Sequence, residues 1–282
     1  ATEIELTRNY RSTGQIVGFA NRLRSGKSAM GDAGVSDLEA QGAVGLAPRL
    51  MAFQNPADEA SYLTHRVKGL LAEGVKPKEI AILYRVNGQS EAIEAALANA
   101  SVAYQLRGGL RFFARPEIQA AMRAINAEIA AKNGNPTHRV VQEICRDLGW
   151  YVRSGAVANA ATTEKRESLD SLIHVLDELP EGITLDAFYR ELQERARTQH
   201  EPEAPAVTLA TMHAAKGLEW EHVFIVGVTE GLIPISHAKT DAAIAEENRL
   251  LYVGVTRAKK SLMLSWSGQP SRFIDLVKSR ND

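Results

Sequence analysis

Residues 79–106, EIAILYRVNGQSEAIEAALANASVAYQL, decide the fold. IAILY is a short unbroken apolar run, the pattern of a strand buried on both faces, and it is too short for an ordinary helix. SEAIEAALANA, rich in Ala, Leu and Glu, reads as a helix, and VAYQL as a second short strand. Strand, helix and strand in close succession build a parallel sheet, because two parallel neighbours need a crossover between them.

Upstream, Ser12 and Gln15 in RSTGQ fit a capping box that opens a helix running to about Leu23. Leu63, Val67, Leu70 and Leu71 predict an amphipathic helix from about Asp58, closing at Gly74. Downstream the period changes. From about Arg115 to His200 the segments have mainly helical spacing; after the linker EPEAPA, apolar strands return at VTLAT, HVFIVGV and SLMLSW. The expectation is an α/β domain in two sequence pieces, 1–108 and 204–282, around a mainly helical insertion at 109–203.

With 282 residues, 45% of them hydrophobic and 24% charged, the chain can bury one large core or two ordinary ones. Its single cysteine, Cys145, excludes an internal disulfide or a cysteine metal cluster, which predicts a reducing, cytoplasmic setting. No stretch approaches the roughly 20 apolar residues of a membrane span, and the opening ATEIELTRNY lacks a basic region followed by an apolar signal core. A net charge of -1 gives no global basic field, so any nucleic-acid binding must come from a local groove or a partner domain.

Two phosphate-site signals are rejected. Gly26, Lys27 and Ser28 spell the end of a P-loop, but Asn21 stands where its first glycine belongs, and the segment follows a helix instead of a strand. LIHVLDE at 172–178 mimics a Walker B strand; Leu169, Leu172, Ile173, Leu176 and Leu179 recur at helical spacing, so a core-facing helix is predicted, with Asp177 and Glu178 solvated.

Three longer stretches carry the chemistry: LTRNYRSTGQIVGFAN near the N-terminus, VTLATMHAAKGLEWEHVFIVGVTEGLIP, and EENRLLYVGVTRAKKSLML near the C-terminus. They resemble motifs IV, V and VI of UvrD/Rep-type superfamily 1 DNA helicases, in that family's order. ILYRVNGQSEAIEAAL, GGLRFFARPEIQAAM and ITLDAFYRELQE are similar to further family elements. The resemblance spans almost the whole chain and is weakest from about Asn126 to Pro180, where the inserted accessory domain looks short.

The resemblance implies a RecA-like second motor domain of an ATP-dependent 3′ to 5′ DNA helicase, with single-stranded and duplex DNA as partners in repair or replication. It also implies a separate N-terminal RecA-like domain that carries the P-loop and holds Mg²⁺ with ATP, so the chain by itself should not turn over ATP. By motif position Arg257 is the arginine finger, Arg11 a second γ-phosphate contact, Tyr10 the adenine-stacking residue and Glu219 the ribose acceptor. Arg85, Asn87, Thr211 and His213 stand at the DNA-contacting positions. Plainer readings exist for each: a surface salt bridge for the arginines, a core tyrosine, a solubilising glutamate, loop caps for the rest. The histidines show no ligand spacing, and no protein-bound metal is expected. Arg8 stands where the family commonly has Gln, and Glu91 where it has Arg, which puts a contact in doubt at both. The alternatives are the motor part of a helicase–nuclease recombination subunit and a non-catalytic module that binds DNA or a partner.

Overall fold

The computed structural model describes residues 7–25, 37–107, 112–131, 136–150, 160–177, 179–198 and 205–278. Gly26–Ser28, Glu178 and most of the EPEAPA linker lie outside them. In chain order the elements are β1 (Arg8–Asn9), α1 (Gly14–Ser25), β2 (Glu39–Ala40), β3 (Arg49–Phe53), α2 (Pro56–Ala72), β4 (Ile80–Tyr84), α3 (Ser90–Asn99), β5 (Tyr104–Arg107) and α4 (Pro116–Ala131). They continue with α5 (Thr137–Asp147), α6 (Ala160–Asp177), α7 (Leu185–Thr198), β6 (Val207–Thr211), β7 (Trp220–Ile225), α8 (Asp241–Val255), β8 (Ala258–Ser267) and α9 (Ile274–Val277).

The chain divides into two compact units. The first comprises Ala1–Arg85, Val102–Gly108 and Pro202–Asp282; the second comprises Val86–Ser101 and Gly109–Glu201. The division differs from the sequence expectation in one piece, since the turn after β4 and the helix α3 group with the helical unit. Arg115 supplies a physical reason: its guanidinium donates to Asn87 O and Ser90 Oγ, both at 2.8 Å, and to Ser168 Oγ at 3.2 Å. Glu91, buried on α3, pairs with Arg195 of α7 at 3.0 Å. The substituted residue at 91 is therefore spent inside the helical unit.

In the first unit six strands run parallel in the order β3, β8, β7, β4, β6, β5. All five residues of β4 are buried, as its unbroken apolar run demands of a central parallel strand. Ala81 and Leu83 face one core with Ile16, Phe19 and Leu23 of α1, Leu251 and Val255 of α8 and Ile274 of α9. Side chains alternate along a strand, so Ser265 of β8 faces away from Leu264 and Trp266 of that core. Ser265 donates to Glu59 of α2 at 2.5 Å, which places α2 over the opposite face. There Leu63 and Val67 are fully buried, each contributing about 1.5–3 kcal/mol of burial.

The helical unit has its own core, drawn from α4, α5, α6 and α7, and includes Ile118, Ile125, Val141, Leu172, Leu176 and Phe188. LIHVLD is helical, as its spacing requires. Asp177 is half exposed and pairs with His138 at 3.3 Å. Cys145 is buried in this core, and burial pushes its thiol up to about 12, so it is held as an inert thiol.

The capping box expected at Ser12 and Gln15 does not form, because tertiary partners take both side chains. Ser12 Oγ donates to Ala258 O at 2.6 Å, and Gln15 Oε1 accepts from Gly45 N at 2.6 Å.

Candidate functional site

The segment ahead of α1 is built as a bracket. Asn9 Oδ1 accepts from the backbone N–H groups of Arg11 (3.0 Å) and Ser12 (2.9 Å), folding the chain into a local turn. Ser12 Oγ and Thr13 N then bond Ala258 O and Lys259 O at the start of β8. Tyr10 is left 71% exposed, which removes the reading of it as a core residue.

Beside this bracket lie the turn into β7, with Glu219, and the turn from α8 into β8, with Arg257; Trp220 N donates to Arg257 O at 3.0 Å and joins the two. Glu219 divides its carboxylate. Oε2 meets Arg11 Nε at 2.5 Å and Oε1 meets Lys259 Nζ at 2.6 Å. The hydrogen bond from Lys259, and then the nearby charge of Arg11, hold the Glu219 carboxyl below its ordinary value. Arg257 is held differently: Nε donates to Val253 O (2.9 Å), Nη1 to Leu218 O (3.1 Å) and Nη2 to Thr256 Oγ1 (3.1 Å). All three acceptors are uncharged, so the guanidinium is positioned by neutral groups, with the Glu219 carboxylate acting on it only through its nearby charge. Burial first, and the nearby Arg11 charge second, lower its pKa from the ordinary value. Arg11, Lys259 and Arg257 around the single carboxylate of Glu219 leave this end of the sheet with a surplus of positive charge, suited to a polyanion.

At the opposite ends of the strands the picture is different. Tyr84 of β4 and Thr211 of β6 are in register, so Arg85 and the loop after Thr211 emerge side by side at the C-terminal edge of the sheet. Thr211 Oγ1 accepts from Ala214 N at 3.2 Å, closing a tight turn that leaves His213 exposed. Arg85 is engaged inside the unit. It makes a two-pronged bond to Glu247 of α8, at 2.9 and 2.8 Å, with only 15% of its side chain exposed. Asn87 belongs to the helical unit, where its carbonyl accepts from Arg115.

Sequence reasoning missed Lys259 and Glu247. Lys259 stands two residues beyond Arg257, at the start of β8, and the quoted motif already contained it. Glu247 carried no signal of its partner, which is far away in the sequence. Among the described residues no group of three or more His, Cys, Asp or Glu is arranged to hold a metal, and no helix is long and apolar enough to cross a membrane.

The family of UvrD-like helicase C-terminal domains matches residues 4–155 and 154–269. The chain belongs to that family. This UvrD-like domain is 38% identical over 292 residues to the ATP-dependent DNA helicase UvrD2 of Mycobacterium tuberculosis (strain ATCC 25618 / H37Rv), covering 98% of the chain and 41% of the relative. It is 28% identical over 364 residues to DNA helicase II of Escherichia coli (strain K12), covering 97% of the chain and 50% of the relative. A solved C-terminal domain of a possible DNA helicase from a Lactobacillus (WCFS1) aligns with a TM-score of 0.46 at 14% identity, over 96% of this chain and 94% of that one. The UvrD-like domain thus spans half or less of the length of these two curated relatives. The parallel sheet with helices on both faces is the RecA-like arrangement expected from its motifs.

Proposed function

We propose that this UvrD-like domain is the second motor wall of an ATP-dependent DNA helicase that moves 3′ to 5′ along single-stranded DNA. The observation that carries the reading is a guanidinium, Arg257, positioned by uncharged acceptors beside the Arg11, Glu219 and Lys259 cluster and exposed Tyr10. ATP is the substrate, bound first by a P-loop in the remaining part of the protein, and Mg²⁺ arrives with it and is held there. Glu219 is poorly placed to take the metal, because both of its oxygens are occupied by cations.

In this mechanism Tyr10 stacks on the adenine and Glu219 accepts from a ribose hydroxyl. Water attacks the γ-phosphorus, the bond to the β–γ bridging oxygen breaks, and charge spreads over the transferred oxygens. Arg257 and Arg11 face that charge, and the planar fork of Arg257 matches phosphate oxygens in a way an ammonium cannot. Closure around ATP and reopening after hydrolysis would alternate the grip on the strand. Thr211 and His213 hold the strand at the far edge, and Asn87 is a DNA contact proposed for the helical unit by itself. Arg85 can join only by giving up Glu247. Without the P-loop half, the chain should release no phosphate from ATP.

The test is steady-state ATPase of the full-length protein at saturating single-stranded DNA, with DNA affinity measured by anisotropy. Arg257→Ala should lower kcat by about 10³ or more, as loss of such a finger does, with DNA affinity almost unchanged. Arg257→Lys should rescue poorly. Retention of more than about a tenth of kcat by Arg257→Ala would reject the assignment. A non-catalytic docking module would show no ATPase to lose, and a helicase–nuclease subunit would add DNA cleavage.

A further inference from the structure

Lys259 is a cation of the nucleotide edge that the motif comparison did not assign. Its backbone is pinned, since Lys259 O accepts from Thr13 N at 3.0 Å and the preceding Ala258 O accepts from Ser12 Oγ. From that fixed base Nζ reaches Glu219 Oε1 at 2.6 Å. An arginine facing a free carboxylate commonly takes both oxygens in a fork. Here Lys259 occupies one of them, and Arg11 reaches Glu219 through Nε to Oε2, its Nη1 turned instead to Thr256 O at 3.4 Å.

We infer that Lys259 is a positioning residue for nucleotide use: it holds Glu219 by one oxygen, so that Arg11 is held by the other alone and can pass to phosphate. This rests on the nucleotide reading of the edge given above. When Arg11 leaves, Oε2 is freed while Lys259 keeps the carboxylate in place, and the vacated oxygen can accept a hydroxyl of the ribose. Without Lys259, Glu219 would swing to a two-oxygen grip on Arg11. Phosphate would then compete against a stronger bond, and the ribose would lose a fixed acceptor. Lys259 acts in this scheme through Glu219 and does not touch the nucleotide.

The experiment uses the full-length protein, with ATP, 2′-deoxy-ATP and 3′-deoxy-ATP as the probes and kcat and KM measured separately. Lys259→Met should raise KM for ATP about five- to tenfold with kcat within about twofold, the pattern of lost ground-state binding. The preference for ATP over the deoxy analogue that wild type discriminates against should collapse toward one. Lys259→Arg, which can still hold an oxygen, should restore both, and this conservative variant guards against a fold defect in Lys259→Met. Glu219→Gln combined with Lys259→Met should be no worse than Glu219→Gln alone, because the two act as one unit.

An unchanged KM in Lys259→Met overturns the inference. So does full additivity of the two substitutions, which would mean that Lys259 meets the phosphates directly. The nucleotide reading fails separately: in that case Glu219→Gln itself leaves KM and ribose preference unaltered.

Discussion

Glu94 is fully buried in the helical unit, with its Oε1 accepting from Ser90 Oγ at 2.6 Å. Burial raises its carboxyl to about 7, outweighing the opposing pull of the Ser90 hydrogen bond and the Arg115 charge. A carboxyl raised in the folded state still binds its proton where the unfolded chain has lost it. Stability therefore falls as pH rises from the ordinary carboxylate value to about 7, and is level above that. The expected outcome is a melting midpoint for the helical unit that declines between about pH 5 and 7, with Glu94→Gln flattening the decline. Identical slopes in the two proteins would show that Glu94 is not the titrating group. Glu219 runs with the opposite sign: its lowered pKa means that the Lys259 and Arg11 contacts are kept above the ordinary carboxylate range and lost on acidification.

Among the elements, α8 links the two ends of the sheet. Glu247 lies within it and anchors Arg85 at one end, and the chain leaves it directly into Arg257 at the other. Eight residues of helix, about 12 Å, run from Glu247 to the end of α8 at Val255, two residues before Arg257. The Arg85–Glu247 pair is mostly buried, so Glu247→Ala should remove the paired carboxylate from a mostly buried guanidinium and cost about 3–5 kcal/mol. Arg85→Ala combined with Glu247→Ala should recover part of that loss, because the mostly buried charge is gone as well. Thermal melts of the two variants beside wild type check this, and a double variant less stable than Glu247→Ala refutes the pairing argument. Gly254, on the same helix, is tightly packed: a Cβ there would meet Met212 Sδ at 3.0 Å and Ile225 Cδ1 at 3.1 Å, so those side chains would have to give by a few tenths of an ångström. What was legible in the sequence follows the same logic. β4 announced itself because a doubly buried strand is an unbroken apolar run. β3, RLMAF, did not, since it sits at the sheet edge half exposed and gains its identity from β8, far along the chain. The capping box failed because a local pattern cannot foresee that Ala258 O will claim the Ser12 hydroxyl. Motif positions led to Arg257, Arg11 and Glu219, which meet at one edge, whereas Arg85 looked free in the sequence because its neutralising partner is on α8.

For the whole molecule, a net charge of -1 gives no general cationic excess, and Arg85 is already paired with Glu247. Single-stranded DNA should bind the chain weakly, with a slope of log K against log salt shallower than about -4; a steeper slope in anisotropy titrations would demand more phosphate contacts than this edge offers. The strand order also governs when strands can pair as the chain emerges. β3, β4 and β5 come early in the chain, yet no two of them are neighbours; β6, β7 and β8 fill every gap. While the ribosome has not yet passed Val207, the nascent chain holds three strands of this sheet and no pair of them that can bond. β8 emerges last of the six and is the only one that pairs with β3, so the earliest strand of the sheet waits, with its backbone groups open to water or to a chaperone, until translation of this region is almost done.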